Sequence, residues 1–432
     1  MPKSYATVNP CSMCMPMGSI MAFKGIEDSM TLFHGSQGCS TYMRLHLIHH
    51  FREPLDVGSS ALSERGAVYG GAANLKRGLK NIIQGYRPSV IGLATTCLAE
   101  TIGDDVPHIV REFEKEEPLA RGVTIIQVST PSYAESHEEG YVETLRAIIQ
   151  RLAAKGERNR KFNLIIGSIV SPADIRYLKD LLEYWCSEYV LFPDISETSD
   201  APLVKNLPKI PEGGTSLHDI RDMANSTETI TIGGCIQSAS AGSYLEMEYG
   251  VPHIALPLPI GIEYTDMLVA KLEEITGSEL PQKYERERGR LLDAMIDAHK
   301  IVSGIRTAVY GDTEVVLGIT KVLREIGMNP AVVATGSQNP EFAQSVKQIS
   351  PTSTILCGVD FAQIHKEITK ENIELMIGPS TGRQISQKEN IPLLRVGLPN
   401  HDRFGAARQM IVGYKGTTWL IDAIANTLLE HI

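Results

Sequence analysis

Short apolar runs rich in β-branched residues recur along the chain. Each is followed by a turn carrying glycine or serine, and then by an amphipathic stretch. The runs are Ser89–Ala94, Val123–Val128, Phe162–Gly167, Thr229–Ile232, Arg306–Tyr310, Ala331–Ala334, Thr354–Leu356 and Glu374–Ile377. Their length and branching predict strands, and their alternation with helices predicts parallel sheets covered on both faces. A long helix is predicted over Glu285–Ser303, where Leu291, Leu292, Met295, Ile296 and Ala298 recur at helical spacing. Thr417–Ile432 predicts a tail helix. Two polar breaks, Lys155–Lys161 and Gly277–Arg286, divide the chain into α/β units at 1–155, 156–280 and 281–432. Ligands of such sheets gather at the carboxyl ends of strands. Cys97, Gly167-Ser168, Gly233-Gly234-Cys235, Gly311-Asp312, Gly336-Ser337 and Gly378-Pro379 all stand there.

Bulk properties narrow the class. At 432 residues the chain exceeds one compact core, and 43% hydrophobic with 21% charged residues describes an ordinary globular protein. A net charge of −10 argues against nucleic acid or an anionic membrane surface as partner. No run of 18 apolar residues predicts a membrane span, and the first ten residues lack the apolar core of a signal peptide. A cytoplasmic location is expected. Seven cysteines, an odd number in a large chain, are not a disulfide framework there.

Three cysteines carry the strongest chemical signal. Cys14 lies in Asn9-Pro-Cys-Ser-Met-Cys-Met-Pro16, Cys39 ends His34-Gly-Ser-Gln-Gly-Cys39, and Cys97 follows the run Ile91–Thr96. They lie 25 and 58 residues apart, too far for a local metal knuckle. Three thiolates on separate turns suit an iron–sulfur cluster, which takes cysteine ligands and tolerates wide sequence separation. Glycines beside Cys39 permit close backbone approach, so that loop amides can face cluster sulfurs. A helix start after Cys97 favours its thiolate. The plainer reading of each is a buried structural cysteine. Cys11 and Cys14 form a Cys-x-x-Cys pair, but no strand precedes it as a thioredoxin-like site requires.

Taken together, these segments resemble the nitrogenase component 1 family, and its β-type chains in particular. Asn9-Pro…Cys14-x-Pro16, His34–Cys39 and Thr95-Thr-Cys-Leu-Ala-Glu-Thr-Ile-Gly-Asp-Asp105 match its three cluster segments. Further matches are Arg52-Glu-Pro54, Tyr69–Leu75, Thr130-Pro-Ser-Tyr133, Leu256–Gly261 with Tyr264-Thr-Asp266, Arg286–Asp293, and Asp402-Arg403 with Gly413–Gly416. The resemblance implies three Rossmann-like domains with mostly parallel sheets. It also implies an α-type partner in an α2β2 heterotetramer and an [8Fe-7S] P-cluster-type centre at their interface. Cys14, Cys39 and Cys97 would be this chain's ligands. An ATP-dependent reductase with a [4Fe-4S] centre would deliver electrons, which pass on to an active-site metallocluster in the α-type chain. No residue of this chain then needs to touch substrate.

Two functions follow from the resemblance. One is an oxidoreductase subunit: a nitrogenase-like reductase such as methylthio-alkane reductase, which cleaves carbon–sulfur bonds, or the β chain of a molybdenum, vanadium or iron nitrogenase. The short chain with its complete cysteine set leans toward the nitrogenase-like reductase. The other is a maturation scaffold, suggested by the tail Asp402-Arg-Phe-Gly-Ala-Ala407, with a [4Fe-4S] centre in place of the larger cluster. Cys235 and His401 are additional metal candidates, because α-type chains hold their cofactor with a cysteine and a histidine in similar contexts. The competing reading makes Cys235 a buried apolar residue and His401 a tail histidine beside Asp402. His46 and His50 are one helical turn apart, but no glutamate follows in a zinc-protease pattern. With His49 they read as packing or partner contacts. Cys186 and Cys357 read as core thiols, and Glu138-Glu139 as a solvated face.

Overall fold

The structure is a computed structural model that describes residues 9–186, 188–234 and 240–431. Cys235 lies outside these described residues. Among the described residues, thirteen strands form three sheets. The first is β1 (Ser29–His34), β2 (Gly58–Ser59), β3 (Val90–Thr95) and β4 (Thr124–Val128). The second is β5 (Phe162–Ile166), β6 (Tyr189–Phe192), β7 (Thr229–Ile232) and β8 (His253–Leu256). The third is β9 (Arg306–Gly311), β10 (Asn329–Thr335), β11 (Thr354–Cys357), β12 (Leu375–Gly378) and β13 (Leu393–Arg395). Their orders are β2-β1-β3-β4, β6-β5-β7-β8 and β11-β10-β9-β12-β13, and every pairing is parallel. The α/β class with parallel sheets is as the sequence predicts. The strands it misses are β1, with Ser29, Thr31 and His34 breaking the apolar run, and the short β2, β6, β8 and β13.

In the first sheet the chain leaves β1 for β2 on one side and returns to β3 on the other. β1 and β3 therefore flank a topological switch point, in register from Ser29 with Val90 to His34 with Thr95. Crevices open outside the carboxyl ends of such neighbours. The Cys39 and Cys97 segments leave from those two ends. In the third sheet, β9 and β10 end side by side, Thr335 opposite Gly311. Asp312 and Ser337 follow those ends.

The Cys14 segment enters through an interior helix, Met15–Lys24, in which nine residues are buried. A helix apolar on all sides belongs inside a large core. It lies against the His137–Leu152 helix at a separation that only glycine allows. A β-carbon on Gly18 would come 1.9 Å from the His137 carbonyl oxygen and 2.4 Å from the Tyr141 nitrogen. One on Gly140 would come 2.1 Å from the Met15 carbonyl oxygen. Upstream, the chain crosses to the third sheet. Cys11 donates its N–H to the Val359 carbonyl at 3.2 Å and packs with Tyr310 and Phe361.

This packing makes two glycines behave oppositely. Gly140→Ala meets backbone that cannot swing aside, and it is expected to destabilise by about 1–3 kcal/mol, as overpacking does. Gly85, in the helix Ala72–Tyr86, faces open space. Gly85→Ala is expected to stabilise by roughly 0.5–1 kcal/mol through helix propensity. Thermal unfolding followed by circular dichroism should lower the midpoint for the first variant and raise it for the second.

Candidate functional site

Each of the three cysteines stands at the start of a helix. Cys14 is the N-cap of Met15–Lys24. Cys39 lies in the first turn of Gln37–Phe51 rather than in a loop, and Cys97 is the first residue of Cys97–Ile102. Unpaired helix N–H groups and the positive end of the macrodipole favour anions at the starts of the two longer helices.

Ser132, in the turn after β4, joins two of the segments. Its N–H points at the Cys97 Sγ at 3.2 Å, and its Oγ accepts the Met15 N–H at 3.2 Å. Ser132 also hydrogen-bonds the Cys14 side chain. The turn is pinned to the end of β3, where Thr130 Oγ1 donates to the Thr95 carbonyl at 2.6 Å and Ser129 Oγ to Glu100 at 2.5 Å. The Cys39 segment reaches the same place by close approach. A β-carbon on Gly35 would fall 1.9 Å from Thr96 Oγ1 and 2.8 Å from Thr96 Cβ. Thr96 Oγ1, buried at that contact beside Cys97, has no hydrogen-bond partner among the described residues.

His34 holds this corner rigid. It is fully buried, with Nδ1 2.9 Å from Ser60 Oγ and Nε2 3.0 Å from Asp104. Gly35 N–H donates to Ser60 Oγ, and Gly71 N–H donates to Asp104, each at 3.0 Å. Burial pulls the His34 pKa down, although Asp104 opposes it.

Cys14 senses the other two thiols. Burial raises the Cys14 pKa; the Ser132 hydrogen bond opposes this, and the neighbouring Cys97 and Cys39 add to the rise. Three thiolates gathered this closely repel, and a bound cationic centre relieves the repulsion. No three His, Cys, Asp or Glu side chains among the described residues close on a single metal ion. The three thiols are partly exposed, and soft thiolate donors fit iron–sulfur chemistry. Cys11 does not join them. It is buried, and burial followed by Asp312 and Glu138 pushes its pKa far up, so it stays a neutral thiol.

The remaining candidates fall elsewhere. His401 contacts the Gln37–Phe51 helix, with Nε2 3.0 Å from His46 Nδ1 and its ring 5.9 Å from that of His49. His50 is buried, and its Nδ1 accepts the Asn400 N–H at 2.9 Å. Cys186 and Cys357 are half-buried against the core. The expectation of a solvated Glu138-Glu139 face is wrong. Glu138 is buried and accepts from the Thr313 N–H and the Ser337 hydroxyl, each at 2.8 Å. Glu139 closes a capping box with Ser136. Ser132 and His137 are functional candidates that the sequence reading missed. Ser-His-Glu-Glu at 136–139 does carry the Ser-x-x-Glu signature of a helix start.

Three all-parallel sheets, with cysteines at helix starts beside a switch point, define the class as an α/β protein with a thiol-lined site. Residues 14–429 match the family described as nitrogenase component 1 type oxidoreductase, and the chain belongs to that family. It is 39% identical to a nitrogenase molybdenum–iron protein beta chain of Methanococcus maripaludis, over 98% of this chain and 95% of that one. It is 36% identical to the corresponding beta chain of Clostridium pasteurianum, over 98% and 94%. It is 35% identical to a vanadium–iron protein beta chain of Trichormus variabilis, over 98% and 94%. Among solved structures, a chain of nitrogenase Cp1 at pH 6.5 superposes with a TM-score of 0.95 and 36% identity, covering 100% of this chain and 95% of that one. The chain is thus a β-type member of the family. No helix among the described residues is long and apolar enough to cross a membrane.

The histidine cluster predicts acid lability. Burial, then His401 and His49, lowers the His46 pKa to about 4; burial, then His401, lowers that of His50 to about 3. Unfolded histidine titrates near 6.5. Between these values the unfolded chain binds more protons than the native one, so stability is present above pH 6.5 and is lost as pH falls through the window. Urea midpoints measured from pH 7 to pH 4.5 should fall, and His46→Gln should make the decline shallower by about one proton.

Proposed function

We propose that this chain is the β-type subunit of a nitrogenase-type reductase complex, with units 1–155, 156–280 and 281–432 as its domains. Cys14, Cys39 and Cys97 hold its half of a P-cluster-type [8Fe-7S] centre, and an α-type partner completes the centre in an α2β2 assembly. The observation that carries this reading is the gathering of three partly exposed thiols at three helix starts, with Ser132 joining the Cys14 and Cys97 segments. When bound, the centre supplies one-electron transfer between an ATP-dependent [4Fe-4S] reductase and an active-site metallocluster in the partner. The chain's own residues hold and orient it. Ser132 and the helix starts face the thiols, while His34, Asp104 and the Gly35–Thr96 contact keep the Cys39 and Cys97 segments together.

The surface near the thiols supports a partner. Val68 and Tyr69 precede the Gly71–Asp104 bond, Tyr133 follows Ser132, and Tyr42 lies one turn beyond Cys39. Their exposures are 73%, 83%, 66% and 38%. Exposed aromatic and apolar side chains around a polar site are typical of an interface awaiting its partner.

Likeness to beta chains named for molybdenum–iron and vanadium–iron nitrogenases favours a reductase over a maturation scaffold, and dinitrogen over methylthio-alkanes as substrate. Chain length does not separate these substrates, because this chain spans 94–95% of the Clostridium and Methanococcus nitrogenase chains. Purified complex supplied with reductase and ATP is expected to form ammonia from dinitrogen. Methane from a methylthio-alkane in its place would assign the carbon–sulfur activity. Cys14→Ala, Cys39→Ala and Cys97→Ala should each lower iron per αβ pair and remove the oxidised P-cluster signal in electron paramagnetic resonance. Full iron and full electron transfer in all three variants would refute the ligand assignment, and a lone [4Fe-4S] signal in the wild type would favour the scaffold.

A further inference from the structure

We propose that His137 is a positioning residue for Cys14, through which the third sheet holds the cysteine-bearing segment in place. The inference rests on the assignment of Cys14 to a metal centre. His137 is 1% exposed and bonds Met13, the residue before Cys14, through both of its backbone groups. Met13 N–H donates to His137 Nδ1 at 3.2 Å, and His137 N–H donates to the Met13 carbonyl at 3.1 Å. Because Met13 N–H can only donate, Nδ1 carries no proton in this arrangement. The ring proton therefore sits on Nε2, which faces Asp312 Oδ1 at 3.0 Å. Asp312 follows the end of β9 in the third sheet.

A second set of bonds runs parallel to this one. Glu138 accepts from Thr313 and Ser337, which follow the ends of β9 and β10, and Ser136 Oγ lies 2.8 Å from Ser337 Oγ. Ser136 itself pairs with Cys14 across an isolated antiparallel bridge. The Ser136–Glu138 turn is thus held by the third sheet on one side and holds Met13 and Cys14 on the other. A buried imidazole–carboxylate pair is a weak source of stability, since desolvation offsets its attraction. What it provides here is direction: it fixes which ring nitrogen faces Met13, much as outer partners orient metal-binding residues.

The test compares His137→Asn with His137→Gln in the αβ complex. The Asn side-chain oxygen stands where Nδ1 was and keeps the Met13 bond, but it cannot reach Asp312. The Gln amide reaches Asp312 but offers nothing to Met13. Hydrogen exchange of the peptide spanning residues 11–18 is measured by mass spectrometry, together with the midpoint potential of the iron–sulfur signal. His137→Gln is expected to speed exchange by about tenfold and to shift the potential with iron retained, while His137→Asn, which keeps the Met13 bond but loses the Asp312 bond, is expected to fall between His137→Gln and wild type. Asp312→Ala is expected to speed exchange as well. Equal exchange in wild type, His137→Asn and His137→Gln would overturn the proposal, as would unchanged exchange in Asp312→Ala. The exchange readout needs no metal, so an absent iron–sulfur signal in wild type would count against the cluster assignment alone.

Discussion

The close backbone approach of the Met15–Lys24 and His137–Leu152 helices sets where the Cys14 segment can stand. Gly18 and Gly140 leave no β-carbon between the two helices, so each backbone rests almost directly on the other. The buried helix that begins at Cys14 can then thread through the core with its N-cap reaching the turn after β4. From that one placement follow the Met15–Ser132 bond, the Ser132–Cys97 approach and the Ser136–Cys14 bridge. The Cys39 segment reaches the same corner by the same device, with Gly35 seated on Thr96. Two close glycine contacts thus bring three cysteines, far apart in sequence, to one place.

Parallel topology supplies the rest. Strand ends in such sheets carry free backbone groups and short turns, and the first and third sheets turn their carboxyl ends toward the Cys11–Cys14 segment between them. Buried polar side chains accumulate there, yet most are satisfied: His34 by Ser60 and Asp104, His137 by Met13 and Asp312, and Glu138 by Thr313 and Ser337. Networks that are fully paired hold geometry more firmly than apolar packing does.

Much of this was legible in the residues, and what was not has identifiable causes. Eight strands announced themselves through β-branched runs because both faces of a parallel sheet are buried. β1 did not, because Ser29, Thr31 and His34 hide a strand whose polar groups are satisfied inside the fold. Gly38 beside Cys39 looked like loop, yet glycine is tolerated in the first helical turn, and Cys39 sits in that turn. Glu138 looked solvated because a carboxylate pair in a helix start normally is; its burial depends on the third sheet, some 175 residues downstream. The meeting of His46 with His401 is likewise a product of tertiary folding that local spacing cannot reveal. The three cysteines were the clearest signal, since glycine, proline and strand ends beside a thiol restrict where it can point.

Whether the three thiols share one metal centre is best decided by anomalous diffraction at the iron absorption edge on crystals of the αβ complex. Iron within bonding distance of the Sγ atoms of Cys14, Cys39 and Cys97 together, in one cluster at the subunit boundary, is the expected result. Iron that contacts only one of them, or that lies wholly within the partner chain, would show that the gathering of these cysteines serves the fold and not electron transfer.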